Sequence, residues 1–294
     1  MFMNQKDFLI HIHVYYTEMW AELQGCLSSL PVGSDYDLWV TYVHDDNFFL
    51  QQVRTAEPNA HILKVENIGY DIGPFVEVLR RVETADYKYI IKLHSKRDVI
   101  GLDYPHVGLT VVGGDRWRRY LLSFMTCQNF RKCLTAFEQN PRLGMVGHHG
   151  LICRREPDDA RAWEESLEWL VAERLPIIAP SFVAGSMFIC RAGLMEVVKS
   201  LLVKKKFENP THEYSSTISH TAERFLGHAV AAQGMSIEDV YTPVYDRLIL
   251  VFCGVLRFSV HWIVRFFYQK KMTRHGGLIL KICKIPVYRR RGNR

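Results

Sequence analysis

Polar residues able to bind a charged ligand follow four separate apolar segments in the N-terminal third of the chain. Carboxylate and amide oxygens accept hydrogen bonds, and lysine and arginine supply positive charge to an anion such as a phosphate. The candidate ligand-binding residues, in chain order, are Tyr15, Tyr16, Asp45, Asp46, Asn67, Gly69, Asp71, Gly73, His94, Lys96 and Arg97.

The stretch from Asn67 to Pro74 predicts a contact with an anionic ligand. Asn67 and Asp71 bracket Gly69 in a loop, and Gly73 with Pro74 marks a helix start because proline fits the first helical turn. The start of a helix directs backbone N–H groups and the positive end of the helix dipole towards an anion. The alternative is that Asn67 and Asp71 only cap the helix.

The apolar segments themselves are predicted strands, because they are rich in β-branched and aromatic residues. They cover residues 8–16, 37–43, 61–65 and 87–93. Between these strands, apolar residues recur at the spacing of a helix over residues 18–30 and from Gly73 onward. Strands that alternate with helices indicate βαβ units and a mainly parallel sheet, in which ligands bind beyond the carboxyl ends of the strands. We therefore predict an α/β fold whose polar loops converge on one edge of the sheet.

Further elements are predicted in the second half of the chain. Residues 144–147 and 182–191 have the character of strands, and 220–234 have the spacing of a helix closed by glycine. The glycine-rich residues 101–114 predict a long loop or lid, after which a helix begins near Asp115.

Composition and cysteine usage indicate a folded protein in a reducing compartment. Of the 294 residues, 48% are hydrophobic and 23% are charged, which excludes a disordered or collagen-like protein. The 7 cysteines are odd in number and show no CxxC spacing, and the histidines show no HxxxH or HExxH spacing. The sequence therefore predicts no zinc site and no need for disulfides.

Charge is distributed unevenly along the chain. From Arg247 onward there are 12 Lys+Arg and no Asp or Glu, whereas residues 1–246 hold 25 Lys+Arg against 31 Asp+Glu. Such an asymmetry indicates a tail that meets a polyanion. We therefore divide the chain into a domain over 1–246 and a basic tail over 247–294.

The tail segment from Arg247 to Tyr268 is predicted to be an amphipathic helix lying along an anionic membrane surface. At about 100° per residue, one face of this helix collects the basic side chains. They are Arg247, Arg257, His261 and Arg265. The alternatives are a helix packed on the body and a tail that binds nucleic acid, which the absence of a nucleic-acid-binding motif disfavours. The N-terminal MFMNQKDF carries no export signal, so we expect a cytoplasmic protein, peripheral on the inner face of the cell membrane.

The order of these segments resembles the GT-A class of nucleotide-sugar glycosyltransferases, and more closely the rhamnan synthesis F family of bacterial polysaccharide assembly. The specific part is NIGYDIGPF (67–75) joined to YIIKLHSKR (89–97). The weaker matches are HVYY (13–16), CLSSL (26–30), HDD (44–46), GMVG (144–147), VAGSMFICR (183–191) and HTAERFLG (220–227). The resemblance implies a GT-A-like, Rossmann-like fold. It also implies transfer of a sugar, such as the rhamnose of the family name, from a nucleoside diphosphate sugar to a lipid-linked glycan.

The resemblance also implies roles for individual acids. Asp45 and Asp46 stand where GT-A enzymes place acids that bind the base and ribose, and a turn or helix cap is the alternative. Glu223 matches the acid that takes the acceptor proton in an inverting transfer, with Asp71 as the second candidate. A salt bridge with Arg224 is the alternative for Glu223.

The acceptor side of the site is predicted from a helix and a loop. Trp117 and Arg118 can form a platform for a sugar or phosphate, although the spacing of Trp117 from Leu121 also suits core packing. Gly185 and Ser186 resemble the acceptor-side loop of the fold, and a tight strand bend is the alternative.

One departure from the GT-A pattern concerns the diphosphate. GT-A enzymes commonly carry Asp-x-Asp after the fourth strand to hold a divalent metal, whereas this chain has His94-Ser95-Lys96. Lys96 and Arg97, with His94 as a hydrogen-bond donor, can neutralise the leaving diphosphate directly. We therefore predict a metal-independent enzyme without a cofactor, while Asp98 leaves metal binding open. A catalytically silent subunit that binds the donor or scaffolds partner enzymes is the alternative function.

Overall fold

A computed structural model describes the chain over residues 5–97, 116–153, 160–172, 174–176, 181–209, 217–248, 268–272, 278–282 and 285–290. Backbone contacts divide the chain into two units, and the second includes Val244 to Arg294. The first unit carries the main sheet and its helices, and the second carries a small antiparallel sheet.

The strands of the first unit form a large sheet and a two-stranded ribbon. Their bounds are β1 Lys6–Val14, β2 Tyr36–Tyr42, β3 His61–Lys64, β4 Tyr87–His94, β5 Leu143–Val146, β6 Ile152–Cys153, β7 Phe182–Val183, β8 Phe188–Arg191 and β9 Ser236–Glu238. The large sheet has the order β3-β2-β1-β4-β8-β5-β9, and β6 pairs with β7. Only β8 is antiparallel to its neighbours in the described sheet, so the predicted α/β class with a mainly parallel sheet is confirmed.

Helices flank this sheet. Their bounds are α1 Trp20–Cys26, α2 Asn47–Ala56, α3 Ile72–Leu79, α4 Arg116–Leu122, α5 Cys127–Gln139, α6 Ala160–Ala172, α7 Met195–Leu202 and α8 Ile218–Ala232. Seven consecutive residues of β1, Phe8 to Val14, are buried on both faces of the sheet, as expected for a central parallel strand covered on both sides. The strand ends at Val14, so Tyr15 and Tyr16 follow its carboxyl end as predicted.

The predicted strand over 182–191 is wrong as a single element. β7 pairs with β6 in the ribbon, whereas β8 joins the large sheet between β4 and β5. The chain turns between them at Gly185 and Ser186, where φ is 79° and 49°. Left-handed backbone at two successive residues ends a strand, because strands require negative φ.

The second unit is helical over residues 244–248, where the predicted tail helix begins, but it departs from the prediction at Tyr268. Its described strands are β10 Tyr268–Met272, β11 Leu278–Ile282 and β12 Ile285–Arg290, which pair antiparallel in that order. Tyr268 therefore begins a strand, and the predicted helix end there is wrong. Arg257, His261 and Arg265 lie outside the described residues, as does the predicted loop over 101–114. Among the helices that the structure describes, none has the length and hydropathy needed to span a membrane.

Candidate active site

A buried ion pair lies at the centre of the site. Lys92, in β4, has a side chain that is 0% exposed, and its ammonium group donates to the carboxylate of Asp71 at the start of α3. The same ammonium group donates to the carbonyl and hydroxyl oxygens of Ser186, at 3.0 and 3.1 Å. The Ser186 hydroxyl in turn donates to Asp71 Oδ2. A central strand, the loop before α3 and the turn after β7 therefore meet at one carboxylate.

A second chain of hydrogen bonds connects this pair to α8. His94 Nε2 lies 2.8 Å from the carbonyl oxygen of Gly185 and 4.0 Å from Asp71 Oδ2. The Gly185 amide donates to Glu223 Oε1 at 2.6 Å, and Arg224 donates to Glu223 Oε2 at 2.6 Å. The two sets of contacts form a single network of seven residues that crosses from β4 to α8. Its members are Asp71, Lys92, His94, Gly185, Ser186, Glu223 and Arg224.

The backbone around this network is closely packed. An added Cβ at Gly185 would lie 2.6 Å from Leu121 Cδ2, and one at Gly73 would lie 2.0 Å from the carbonyl oxygen of Ile68. Gly69 has a φ of 75° and donates its amide to the carbonyl of Glu208 at 2.9 Å. Glycine is required at Gly73 and Gly185 because a side chain would overlap atoms already there.

Charge within the site is fixed by burial and by neighbours. Burial acts to raise the pKa of Asp71, but the Lys92 ammonium and His94 outweigh it and hold that pKa well below its ordinary value. Burial lowers the pKa of His94, and the nearby Asp71 carboxylate offsets only part of that effect. At neutral pH Asp71 is therefore ionised and His94 is neutral. So acidic a carboxyl group is a weak proton acceptor, which disfavours Asp71 as the base.

Two further histidines are buried in β1 beside the site. Thr41 Oγ1 lies 2.9 Å from His11 Nε2 and 3.0 Å from His13 Nδ1. Burial lowers the pKa of His13 to about 3. Burial, together with the charge of Lys92, holds the pKa of His11 well below its ordinary value. Both side chains are neutral at physiological pH, so Lys92 has Asp71 as its compensating charge.

The loops after β1 and β4 are tied together by Ser95. Its hydroxyl oxygen accepts the backbone amides of Tyr15 and Tyr16, each at 2.9 Å. The guanidinium group of Arg97 stacks 4.2 Å from the ring centre of Tyr16, and Arg97 Nε donates to Glu18 at 2.8 Å. Tyr15, Tyr16 and Arg97 therefore form one aromatic and basic rim beyond the two strands.

The predicted acceptor residues on α4 pack inward. The side chain of Trp117 is buried at 7% exposure, and the ammonium group of Lys96 lies 5.6 Å from its ring centre. Arg118 forms an ion pair with Glu22 at 2.9 Å. These contacts place Trp117 over the site as a packing residue that supports Lys96 and the Gly185 turn.

The remaining predicted residues lie further out. Asp46 caps α2 by accepting the amide of Phe49 at 3.0 Å, and the exposed Asp45 forms an ion pair with Lys64. Asn67 is half-buried in the loop before α3. The structure thus brings five of the predicted residues into one network, namely Asp71, His94, Gly185, Ser186 and Glu223, and it gives Asp46 the capping contact that was its alternative.

Sequence reasoning missed Lys92, although a signal was present. Lys92 stands inside YIIKLH, the apolar core of a central strand, where lysine is almost never buried without a partner. Within the described residues no cluster of three or more His, Cys, Asp or Glu side chains is arranged to hold a metal ion.

Comparison with known proteins gives relatives for most of the chain. It is 27% identical over 187 residues to proteins named uncharacterized protein WxcX from two strains of Xanthomonas campestris pv. campestris, which covers 62% of this chain and 25% of each relative. The chain thus spans about a quarter of the length of these curated relatives. Among solved structures, TarS of S. aureus (residues 1–349) has a TM-score of 0.45 at 12% identity, covering 80% of this chain and 59% of that one. A mycobacterial protein has a TM-score of 0.37 at 10% identity, covering 97% and 86%.

A family model for rhamnan synthesis protein F matches residues 1–235. The matched region contains both NIGYDIGPF and YIIKLHSKR, together with the complete network from Asp71 to Glu223. The chain therefore belongs to the rhamnan synthesis protein F family.

Proposed function

We propose that this protein is a glycosyltransferase of bacterial polysaccharide synthesis. It transfers a sugar, rhamnose in the first instance, from a nucleoside diphosphate sugar to a lipid-linked glycan with inversion at the anomeric carbon. The proposal rests on the network of Asp71, Lys92, Ser186, Gly185 and Glu223, which lies at the carboxyl end of β4. Membership of the rhamnan synthesis protein F family supports the substrate class.

Positive charge beside this network suits a diphosphate leaving group. Lys96 and Arg97 follow β4 directly, and Lys96 is held near the ring of Trp117. Charge that develops on the leaving phosphate is stabilised by fixed cations, without a requirement for a metal. We therefore assign the diphosphate to Lys96 and Arg97, and the nucleoside to the rim of Tyr15 and Tyr16 with Asp45 and Asp46 nearby. The expected contact of His94 with the diphosphate is not kept, because its ring nitrogens already face the carbonyl oxygens of Gly185 and Ser95.

The acceptor reaches the donor from the side of the Gly185 turn. An inverting transfer needs a base close to the anomeric carbon, and Glu223 is the carboxylate that joins this turn. On this assignment Gly185 and Ser186 contact the acceptor, and Trp117 and Arg118 support that surface. Asp71, as an ion-paired carboxylate, binds donor hydroxyl groups.

A donor panel tests the proposal. The full chain is mixed with dTDP-rhamnose, UDP-glucose or GDP-mannose, and the melting temperature is measured, because a ligand that binds only the native state raises stability. We expect one nucleotide sugar to raise the melting temperature, and the matching nucleoside diphosphate to be released when a lipid-linked glycan is added. A protein that binds none of the three and releases none of the diphosphates would contradict the proposal.

A second candidate is a catalytically silent subunit that binds the donor and scaffolds other enzymes. The observation that favours it is that both candidate bases are already engaged, Asp71 by Lys92 and Glu223 by Gly185 and Arg224. Donor binding without any release of nucleoside diphosphate, across a set of lipid-linked acceptors, would identify this function.

Attachment to the membrane is the last part of the proposal. The 12 Lys+Arg from Arg247 onward, with no acidic residue, suit an anionic lipid surface, where each basic residue contributes about 1 kcal/mol. Such attachment holds the protein at the cytoplasmic face of the cell membrane, beside lipid-linked acceptors. On this proposal the basic segment does not bind nucleic acid.

A further inference from the structure

We propose that Lys92 is a positioning residue for the donor sugar. It fixes the Asp71 carboxylate through one oxygen, Oδ2, and leaves the other oxygen, Oδ1, to accept a hydrogen bond from a hydroxyl group of the sugar. This inference rests on the proposed function, since it takes the ligand to be a nucleoside diphosphate sugar.

Every proton of the Lys92 ammonium group has an acceptor in the protein. A lysine ammonium carries three N–H donors, and here the acceptors are Asp71 Oδ2, the Ser186 carbonyl oxygen at 3.0 Å and the Ser186 hydroxyl oxygen at 3.1 Å. With its side chain 0% exposed, Lys92 cannot reach the diphosphate. It therefore acts on the ligand through Asp71 and Ser186.

Asp71 keeps one oxygen available. The side chains that donate to its carboxylate, Lys92 and Ser186, both bind the same oxygen, Oδ2. Among the described residues none donates to Oδ1, and the Asp71 side chain remains 21% exposed. An ionised carboxylate oxygen is a strong acceptor for a hydroxyl group, so a ligand hydroxyl is its natural partner.

The same contacts fix the turn that faces Asp71. Ser186 has a φ of 49°, which is unfavourable for a residue with a side chain, and it is held by two hydrogen bonds from Lys92 and one to Asp71. Lys92 therefore sets the distance between Asp71 and the Gly185–Ser186 turn. Substitution of Lys92 is expected to loosen both sides of the sugar pocket, and to leave the aromatic and basic rim in place.

Isothermal titration with dTDP and with dTDP-rhamnose tests the inference on the full chain. The quantity measured is the ratio of the two dissociation constants, which reports the contribution of the sugar alone. In Lys92→Met we expect the dissociation constant for dTDP-rhamnose, relative to that for dTDP, to rise by about tenfold or more. The reason is that a hydrogen bond between the sugar and a charged group is lost or misdirected. The dissociation constant for dTDP should remain that of the wild type. Lys92→Gln, which retains hydrogen-bond donors and has no charge, is the second variant, to be used should Lys92→Met not fold.

A matched control exists in the same strand. Lys88 also lies in β4 and forms an ion pair with Asp7 at 2.8 Å, but that pair is exposed and remote from Asp71. Lys88→Met should leave both dissociation constants unchanged.

Three outcomes would overturn the inference. If the Lys92 variants keep the wild-type ratio, or weaken dTDP and dTDP-rhamnose equally, Lys92 has no specific role towards the sugar, and the proposed function stands. If the wild type binds neither ligand, this donor assignment fails together with the inference.

Discussion

Glu223 is held on both of its carboxylate oxygens. Oε1 accepts a hydrogen bond from the Gly185 amide and Oε2 accepts a hydrogen bond from the Arg224 guanidinium group, each at 2.6 Å. A carboxylate oxygen has two lone pairs, so each oxygen retains one that can take a proton. The positions of Gly185 and Arg224 thus orient Glu223, and an acceptor hydroxyl must approach the remaining lone pairs.

Glu223→Gln separates the role of base from the role of holding the turn. Glutamine retains a carbonyl oxygen that can accept the Gly185 amide, but it cannot take the acceptor proton. We expect the transfer rate to fall by about 10² to 10⁴ while donor affinity is unchanged. The measurements are steady-state transfer rates and donor titrations, with Glu77→Gln on α3 as a surface control.

Each other result has a distinct meaning for Glu223. An unchanged rate would show that Glu223 is not the base. A loss of donor affinity that parallels the loss of rate would show that Glu223 acts through the Gly185 turn alone.

Lys96→Ala tests how the leaving diphosphate is stabilised. Removal of a cation from the leaving group is expected to raise the barrier by about 2.7 to 4 kcal/mol, by analogy with the loss of one oxyanion-hole donor. The fold should be retained, because Lys96 is only partly buried. Turnover is compared with Lys88→Ala, whose ammonium group pairs with Asp7. Activity close to that of the control would show that Lys96 does not stabilise the leaving group. A separate test treats the wild type with EDTA: complete loss of activity that added metal restores would show that a metal ion neutralises the diphosphate.

At the scale of elements, the four N-terminal strands and helices α3 and α8 were predictable because each has a strong apolar period or a clear start signal. Residues 188–191 were predicted as part of a strand, but the antiparallel insertion of β8 between β4 and β5 was not predictable, since it depends on long-range pairing that local sequence does not encode. Gly185, inside the predicted strand 182–191, indicates a break in that strand, because glycine within a strand often marks a bend. Lys92 was missed for a related reason: its partner, Asp71, becomes its neighbour only when α3 packs against β4.

Gly185→Ala tests the turn between β7 and β8. The φ of 79° is unfavourable for alanine, and the new Cβ would lie 2.6 Å from Leu121 Cδ2, so we expect a loss of about 1 to 3 kcal/mol in the free energy of unfolding. Donor affinity should fall as well, because Ser186 and Asp71 would shift. The control is Gly193→Ala, where no atom lies within 4 Å of the added Cβ. Equal stability of the two variants in urea denaturation would contradict this account of the turn.

The buried histidines of β1 and β4 predict a stability that falls in acid. His11, His13 and His94 stay neutral in the folded protein because burial lowers their pKa values, that of His13 to about 3. In the unfolded chain they bind protons below about pH 6.5, so the unfolded state holds more protons and stability decreases as the pH falls from there. His13, whose pKa in the folded protein is about 3, contributes a slope that approaches about 1.4 kcal/mol per pH unit below the unfolded value.

Urea denaturation between neutral and mildly acidic pH measures this dependence. His13→Gln keeps a hydrogen bond to Thr41 and removes one titrating group, so its pH slope should be shallower than that of the wild type. A His13→Gln slope equal to that of the wild type would show that His13 does not contribute.

At the scale of the whole molecule, the sequence divides its charge between an acidic body and a basic C-terminal segment. The predicted boundary after Asp246 lies near Val244, the residue at which the C-terminal segment of the second unit begins. A helix was predicted up to Tyr268 from the spacing of its arginines, but residues from Tyr268 onward form β10, β11 and β12. Periodicity alone missed these strands, because short strands without a regular alternation of polar and apolar residues are stabilised by their partners.

Truncation after Asp246 tests whether the basic segment holds the protein on membranes. The shortened chain loses all 12 Lys+Arg of that segment, so we expect it to remain folded, to bind the donor and to stop sedimenting with anionic liposomes. The full chain should bind anionic liposomes less as salt rises, because electrostatic attraction is screened over a Debye length of about 8 Å at physiological ionic strength. Liposomes of zwitterionic lipid are the control for the charge, and the apolar residues of the segment should leave a weak residual affinity for them.

The activities of the truncated chain complete this test. Transfer to a small soluble acceptor should survive, because the network from Asp71 to Glu223 lies within the retained residues. Transfer to a lipid-linked acceptor should fall, because the enzyme no longer concentrates at the surface where that acceptor resides. If the truncated chain unfolds or aggregates, the apolar residues after Asp246 belong to the core of the protein. In that event the membrane assignment of the segment is wrong, and its positive charge needs another partner.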